Sequence, residues 1–244
     1  MPSPKNKRAA KKKSPSKARG GSTSKAVFTT AHPLFIPLIV IVFILWSVYR
    51  SVFAFPVWFD ESIGKALFFG LPVWIFVTIT KNSEIVQSLK LTRFKTGVLQ
   101  GLAFGGIFGF AAAIASLLSR SQEVIPAPLF TSGVFWSEFG LAVLTGFWES
   151  LFFYGFIMLG IQMAWSHWTL VKQVALTALI FAVFHTPNIV AQYLGSGLSG
   201  IVGYIFLVSA FGVGQAFLFA RDRNLYTLVV VHAIWGMTLF VHTM

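Results

Sequence analysis

Seven apolar stretches, most of them about twenty residues long, dominate the chain: Leu34–Phe55, Ile63–Thr80, Gly97–Leu118, Val134–Trp165, Val171–Val190, Gly200–Ala220 and Leu225–Met244. An α-helix rises about 1.5 Å per residue, so about 20 residues cross the hydrocarbon layer of a bilayer. In that layer each backbone N–H and C=O must find a partner within the protein, which a helix supplies along its own length. Composition agrees. Only 11% of the 244 residues are charged, against about 25% in an ordinary soluble domain. The 27 Phe and 8 Trp add apolar bulk suited to lipid contact and membrane interfaces. The expected fold is all-α: a polytopic transmembrane bundle of about seven spans.

The net charge of +12 is concentrated at one end. Residues 1–25 carry nine Lys or Arg and no acid, so this tail supplies three quarters of it. Residues 1–31 have almost no large apolar groups and cannot bury enough surface to offset chain entropy. They are expected to form a disordered basic tail before a membrane domain over 32–244. Basic residues near a membrane surface are drawn to anionic lipid headgroups, at about 1 kcal/mol each. Nucleic acid is not an expected partner, because no aromatic side chains are interleaved with the lysines. The tail also argues for a cytoplasmic N-terminus in the plasma (inner) membrane. With seven spans, Lys81, Lys90, Arg93 and Lys95 then share its side with Lys172 and the Arg221/Arg223 turn. The opposite connections hold Asp60, Glu61 and Glu123 against Lys65 and Arg120, and Arg50 lies near the outer end of the first span. The first apolar run, beginning after residue 30, has no cleavage pattern behind it and reads as a retained span. The absence of cysteine excludes disulfides, thiolate ligands and a cysteine nucleophile.

Small residues recur at helical spacing in the third span, Gly101-x-x-x-Gly105-Gly106-x-x-Gly109, and as Gly200/Gly203 and Gly212/Gly214 in the sixth. Such spacing lets helices approach closely, and a packing role is expected for it.

Three ionisable residues stand inside the spans: Glu149, His185 and His232. A carboxylate at the centre of a lipid-facing helix costs about 2.5–3.5 kcal/mol on insertion scales, so such a group faces protein or a wet cavity and marks a functional site. On a helix, Ala142, Thr145, Gly146, Glu149, Phe153 and Phe156 share one broad face, with Ser150 and Tyr154 on the adjoining one. In Phe181-Ala182-Val183-Phe184-His185-Thr186-Pro187-Asn188, Pro187 withholds the donor that the Val183 carbonyl would use and disfavours helix at Thr186. The span is expected to kink or end just past His185, with His185 and Asn188 on a cavity. His232 sits within the apolar run that begins at Leu225. One acid and two imidazoles can do proton chemistry. His32, His167 and His242 fall near span ends and are read as interfacial.

In this order the three segments resemble the CPBP family of intramembrane proteases, which includes the type II CAAX prenyl endopeptidases and the bacterial Abi, or bacteriocin-immunity, proteins. Its pattern is Glu-Glu-x-x-x-Arg, then Phe-x-x-x-His, then His-x-x-x-Asn. The matching stretches are Glu149-Ser150-x-x-x-Tyr154, Phe181-x-x-x-His185 and His232-x-x-x-Gly236, and the resemblance spans about residues 134–240. It implies that Glu149 activates water against a peptide bond, that His185 shares in that activation or orients the water, and that His232 stabilises the oxyanion unless Asn188 or a water takes that role. Three positions depart from it: Ser150 for the second glutamate, Tyr154 for arginine and Gly236 for asparagine. The resemblance thus implies an intramembrane endopeptidase acting on a peptide that reaches its cavity from the membrane. The departures leave two alternatives: an inactive relative serving as scaffold or immunity-type binding protein, and a small transporter. The acid and two histidines can also hold zinc with one open position, but the chain has no His-Glu-x-x-His, and no cofactor is assigned.

Overall fold

The computed structural model describes residues 32–120, 133–192 and 197–241; the basic tail lies outside them. Described residues form helices joined by short turns: α1 (Phe35–Val52), α2 (Val57–Thr80), α3 (Ser83–Ser88), α4 (Phe94–Arg120), α5 (Gly133–Ala164), α6 (Leu170–Phe184), α7 (Thr186–Gln192), α8 (Gly197–Asp222) and α9 (Leu225–Val241). Each expected span corresponds to one long helix except Val171–Val190, which is divided between α6 and α7. Among the described residues, α1, α2, α5, α8 and the stretch Leu170–Ile189 are long and apolar enough to cross a membrane, and α9 contains a shorter apolar segment, Leu225–Thr238.

Helix α5 is the centre of the bundle. Phe152, Phe153, Tyr154, Phe156, Ile157, Met158 and Ile161 are fully or almost fully buried, packed against Phe69 of α2, Phe35 of α1 and Phe181 and Phe184 of α6. Much of the phenylalanine therefore fills the protein core as well as facing lipid. The lipid-facing positions are equally plain: Ile36, Ile44, Val48, Trp74, Phe110, Leu179 and Phe206 are exposed.

The glycine pattern of the third span is realised on one face. A Cβ placed on Gly101 or Gly105 would meet Val230 or Ile234 of α9 at 2.5 Å, and Gly97 would likewise meet Tyr226 at 2.6 Å. These glycines bring α4 against α9, its principal partner. Gly106 and Gly203, which belong to the same sequence motifs, have nothing within 4 Å at their Cβ positions among the described residues. Gly212 packs on Phe181 and Ala178 of α6, and Gly214 on Phe108 of α4.

One end of the bundle is closed by polar contacts. Arg93 donates to the carbonyl of Arg223 at 2.9 Å, Asn224 donates to the carbonyl of Arg93 at 3.0 Å, and the Tyr226 hydroxyl donates to the carbonyl of Leu89 at 2.8 Å. Arg223 also reaches Gln162 near the end of α5. The α3–α4 connection, the α8–α9 turn and the α5 C-terminus therefore lie on one side.

At the opposite end the structure corrects the reading of the second span. Asp60, Glu61 and Lys65 are not in a loop: α2 begins at Val57 and carries all three inside its first turns, through two π-helical segments. Asp60 is 7% exposed and Lys65 6%. Asp60 accepts from the Tyr49 hydroxyl and pairs with Arg50, both of α1. Charges that read as a polar connection are instead engaged in ion pairs: Asp60 with Arg50 of α1, and Lys65 with both Glu61 and Glu149. The ionisable set within the spans is thus larger than Glu149, His185 and His232.

Candidate active site

Glu149 is the last residue before a π-helical stretch, Ser150–Met158, inside α5. Such wider turns inside helices often occur at functional sites. The carboxylate is 3% exposed. Its two oxygens have different surroundings. Oε1 accepts from the Lys65 ammonium at 2.6 Å. Oε2 has no hydrogen-bond partner among the described residues and faces His185 Nε2 at 3.7 Å and His232 Nε2 at 3.6 Å. The acid and the two imidazoles, distant in sequence, therefore meet at one oxygen atom.

His185 is placed by the predicted helix break. α6 ends at Phe184, and α7 starts at Thr186 with Pro187 in its first turn, where a missing N–H is harmless. The carbonyl of Val183 takes the Thr186 hydroxyl at 2.7 Å instead. His185 Nδ1 lies 2.7 Å from the Phe181 carbonyl. A carbonyl only accepts, so Nδ1 carries the hydrogen, and in the neutral ring Nε2 presents its lone pair to the Glu149 side.

His232 is placed by a close approach. A Cβ on Gly146 would lie 3.0 Å from the Val229 carbonyl and 3.1 Å from His232 Cβ, so glycine one turn before Glu149 lets α9 come near enough for the imidazole to reach the carboxylate. His232 is 8% exposed, and its ring stands edge-on to Phe211. Its Nδ1 has no partner among the described residues.

A cavity of about 170 Å³ opens beside His232, lined by Glu61, Glu138, Ala142, Thr145, Gly236 and further apolar side chains. A Cβ on Gly236 would find only Ala142 in contact, at 3.6 Å. The glycine at the family's asparagine position therefore leaves open space beside the imidazole. On another flank, Trp148 and Leu151 line an apolar cavity of about 400 Å³ with Gly70, Trp74, Val77 and Leu89. Ser150 and Tyr154 are fully buried, and neither hydroxyl has a partner among the described residues. Asn188 lies on α7, which packs on α1, and is not among the residues lining the cavity at His232.

The residues that sequence reading missed come from α2. Lys65 bonds Glu149 and, one helical turn back on its own helix, Glu61. Glu61 in turn accepts from the Thr145 hydroxyl at 2.5 Å. The signal available in the sequence was the Glu61-x-x-x-Lys65 spacing, which pairs on a helix but not in a loop.

This arrangement does not suit zinc. Among the described residues, no group of three or more His, Asp or Glu side chains is arranged to hold a metal ion. A dication on Oε2 would also face the Lys65 ammonium across the same carboxylate.

The described residues are those of a polytopic helical membrane protein in which a buried acid lies between two imidazoles. Residues 131–238 match the family model described as type II CAAX prenyl endopeptidase Rce1-like, so this part of the chain is similar to that family of membrane proteases. No curated protein and no solved structure matches the chain. The matched region contains Glu149, His185 and His232; α1 and α2, with Lys65, precede it.

Proposed function

We propose that the chain is an intramembrane endopeptidase in which Glu149 activates a water through Oε2. The observation that carries the reading is the convergence of His185 Nε2 and His232 Nε2 on that one oxygen, at 3.7 and 3.6 Å. Oε2 and the lone pair of His185 Nε2 are two acceptors facing each other. A water between them donates one hydrogen to each and turns its own lone pair outward, towards a peptide carbonyl. As the water oxygen bonds to the carbonyl carbon, its proton passes to Glu149. The carboxylic acid then returns that proton to the leaving nitrogen as the C–N bond breaks. His232, protonated at Nε2, donates to the oxyanion while the tetrahedral intermediate lasts.

The substrate is a peptide that enters from the membrane. The apolar cavity beside Trp148 has the character to take a lipid chain attached to such a peptide. The protein resides in the plasma (inner) membrane with a cytoplasmic N-terminus, and its basic tail lies on anionic headgroups.

The test uses the full chain in proteoliposomes and a fluorescence-quenched farnesylated peptide ending Cys-aliphatic-aliphatic-X, beside its unprenylated twin. Cleavage by the native protein and its loss in a folded Glu149→Ala variant are expected. Undiminished cleavage by that variant would overturn the reading. A prenyl requirement shows as cleavage of the first peptide alone.

A second reading, a non-catalytic scaffold, is favoured by one observation: Glu149 is already held in a buried ion pair with Lys65. It expects Glu149→Gln to keep partner binding and phenotype; loss of both would remove it.

A further inference from the structure

Glu149 has one oxygen committed and one free, and the commitment comes from outside the matched domain. Lys65 Nζ is 2.6 Å from Oε1, with the lysine side chain 7% exposed and the carboxylate 4%. The same ammonium pairs with Glu61. Glu61 also accepts from Thr145, on the same Oε2 that Lys65 bonds, and Thr145 lies one turn before Glu149 on α5. The contacts form a closed loop: Thr145 to Glu61, Glu61 to Lys65, Lys65 to Glu149, and back along α5.

Such a loop has a directional consequence. A carboxylate turning about its last torsion can present either oxygen. An ammonium fixed on Oε1 selects one orientation, in which Oε2 points between the two imidazoles. Charge-assisted bonds of this kind are short and about twice as strong as neutral ones. The Lys65–Glu149 bond is shielded from solvent, so little screening weakens it. Among the described residues, Lys65 bonds Oε1 and makes no hydrogen bond to the free oxygen. Its leverage is on where that oxygen points.

We infer that Lys65, held by Glu61, is a positioning residue that orients Glu149 for catalysis, and that α2 completes the active site of the Rce1-like domain. The inference rests on the hydrolytic reading above. It also accounts for a pattern in the sequence. The α5 motif lacks an acid at Ser150 and a base at Tyr154, four residues apart; α2 supplies an acid and a base, Glu61 and Lys65, at the same spacing beside the same carboxylate.

The experiment compares Glu149→Ala, Lys65→Met, Lys65→Arg and Glu61→Gln with the native chain in proteoliposomes, using the farnesylated peptide and reading kcat and KM separately, with thermal unfolding as the measure of folding. A misdirected catalytic group costs about 100-fold, so folded Lys65→Met is expected to lose about that factor in kcat with KM unchanged, and Lys65→Arg to recover part of it. Glu61 is partly exposed, with its side chain at 29%, so Glu61→Gln is the safer variant for folding; loss of its charge should lower kcat by about tenfold. If Lys65→Met does not fold, Glu61→Gln alone decides. Native kcat in folded Lys65→Met or, failing that, in Glu61→Gln overturns the inference. So does a fall in Lys65→Met that Lys65→Arg does not relieve. Cleavage by Glu149→Ala would sink the hydrolytic reading as well, whereas a silent Glu149→Ala beside a fully active Lys65→Met would sink only the role of Lys65.

Discussion

On the proposed hydrolytic reading, Gly236→Asn should speed cleavage. Gly236 stands one turn beyond His232 on α9, so a side chain there shares the face of the imidazole. A Cβ at that position meets only Ala142, at 3.6 Å, an ordinary contact. Beyond it lies the cavity of about 170 Å³ that His232 also lines. A water needs only about 10–15 Å³ of such space, so a carboxamide of three heavy atoms fits without displacing a helix. Glycine is among the poorest helix formers, and asparagine is no worse, so the fold should not suffer. One oxyanion donor is worth about 100–1,000-fold in kcat. The added amide enters a site that did not evolve around it, and the lower end, about 100-fold, is the expected gain. The assay is initial-rate cleavage of the farnesylated reporter in proteoliposomes, with Gly236→Leu as a filler that brings no donor. Asparagine should raise kcat and leucine should lower it. A folded Gly236→Asn protein no faster than the native chain would refute the placement of the oxyanion beside His232.

Two further substitutions test the framework around the site. Asp60→Ala leaves the partly buried Arg50 without its counter-charge, at a cost below the about 3–5 kcal/mol of a fully buried pair; a clear fall in thermal unfolding temperature in detergent is expected, with partial recovery in the Arg50→Gln/Asp60→Ala double variant, and an unchanged temperature in the single variant would contradict the pairing. At Gly160 an added Cβ would lie 2.0 Å from the ring of Phe35, which is itself 2% exposed. Gly160→Ala should therefore overpack the α1–α5 contact by about 1–3 kcal/mol, and native stability in a denaturation series would show that α1 does not seat there.

The parts of the molecule that could be read from the sequence are those whose cause is local. Hydropathy marks a span because each residue of it faces either lipid or the apolar core of the bundle, and Pro187 breaks α6 because it removes one donor from its own helix. Glu149, His185 and His232 stood out since lipid tolerates none of them alone. Gly101 and Gly105 were legible as packing residues, but Gly106 and Gly203 carry the same spacing and a Cβ there would meet nothing among the described residues, because spacing says that a helix can be approached and not from which side. Lys65 shows the limit most sharply. A lysine beside two acids at the edge of an apolar run is equally compatible with a solvated turn and with a buried network. What separates the two is whether partners await it, and those partners, Thr145 to Glu61 and Glu149 to Lys65, each lie 84 positions away along the chain. The i,i+4 spacing of Glu61 and Lys65 is thus only half a signal. It becomes informative once a distant carboxylate is known to need a counter-charge that its own motif, with Ser150 and Tyr154, does not supply. An intramembrane acid with no cation in its own motif is therefore a reason to search the other spans for one, and the first place to look is a span edge where an acid and a base sit four residues apart.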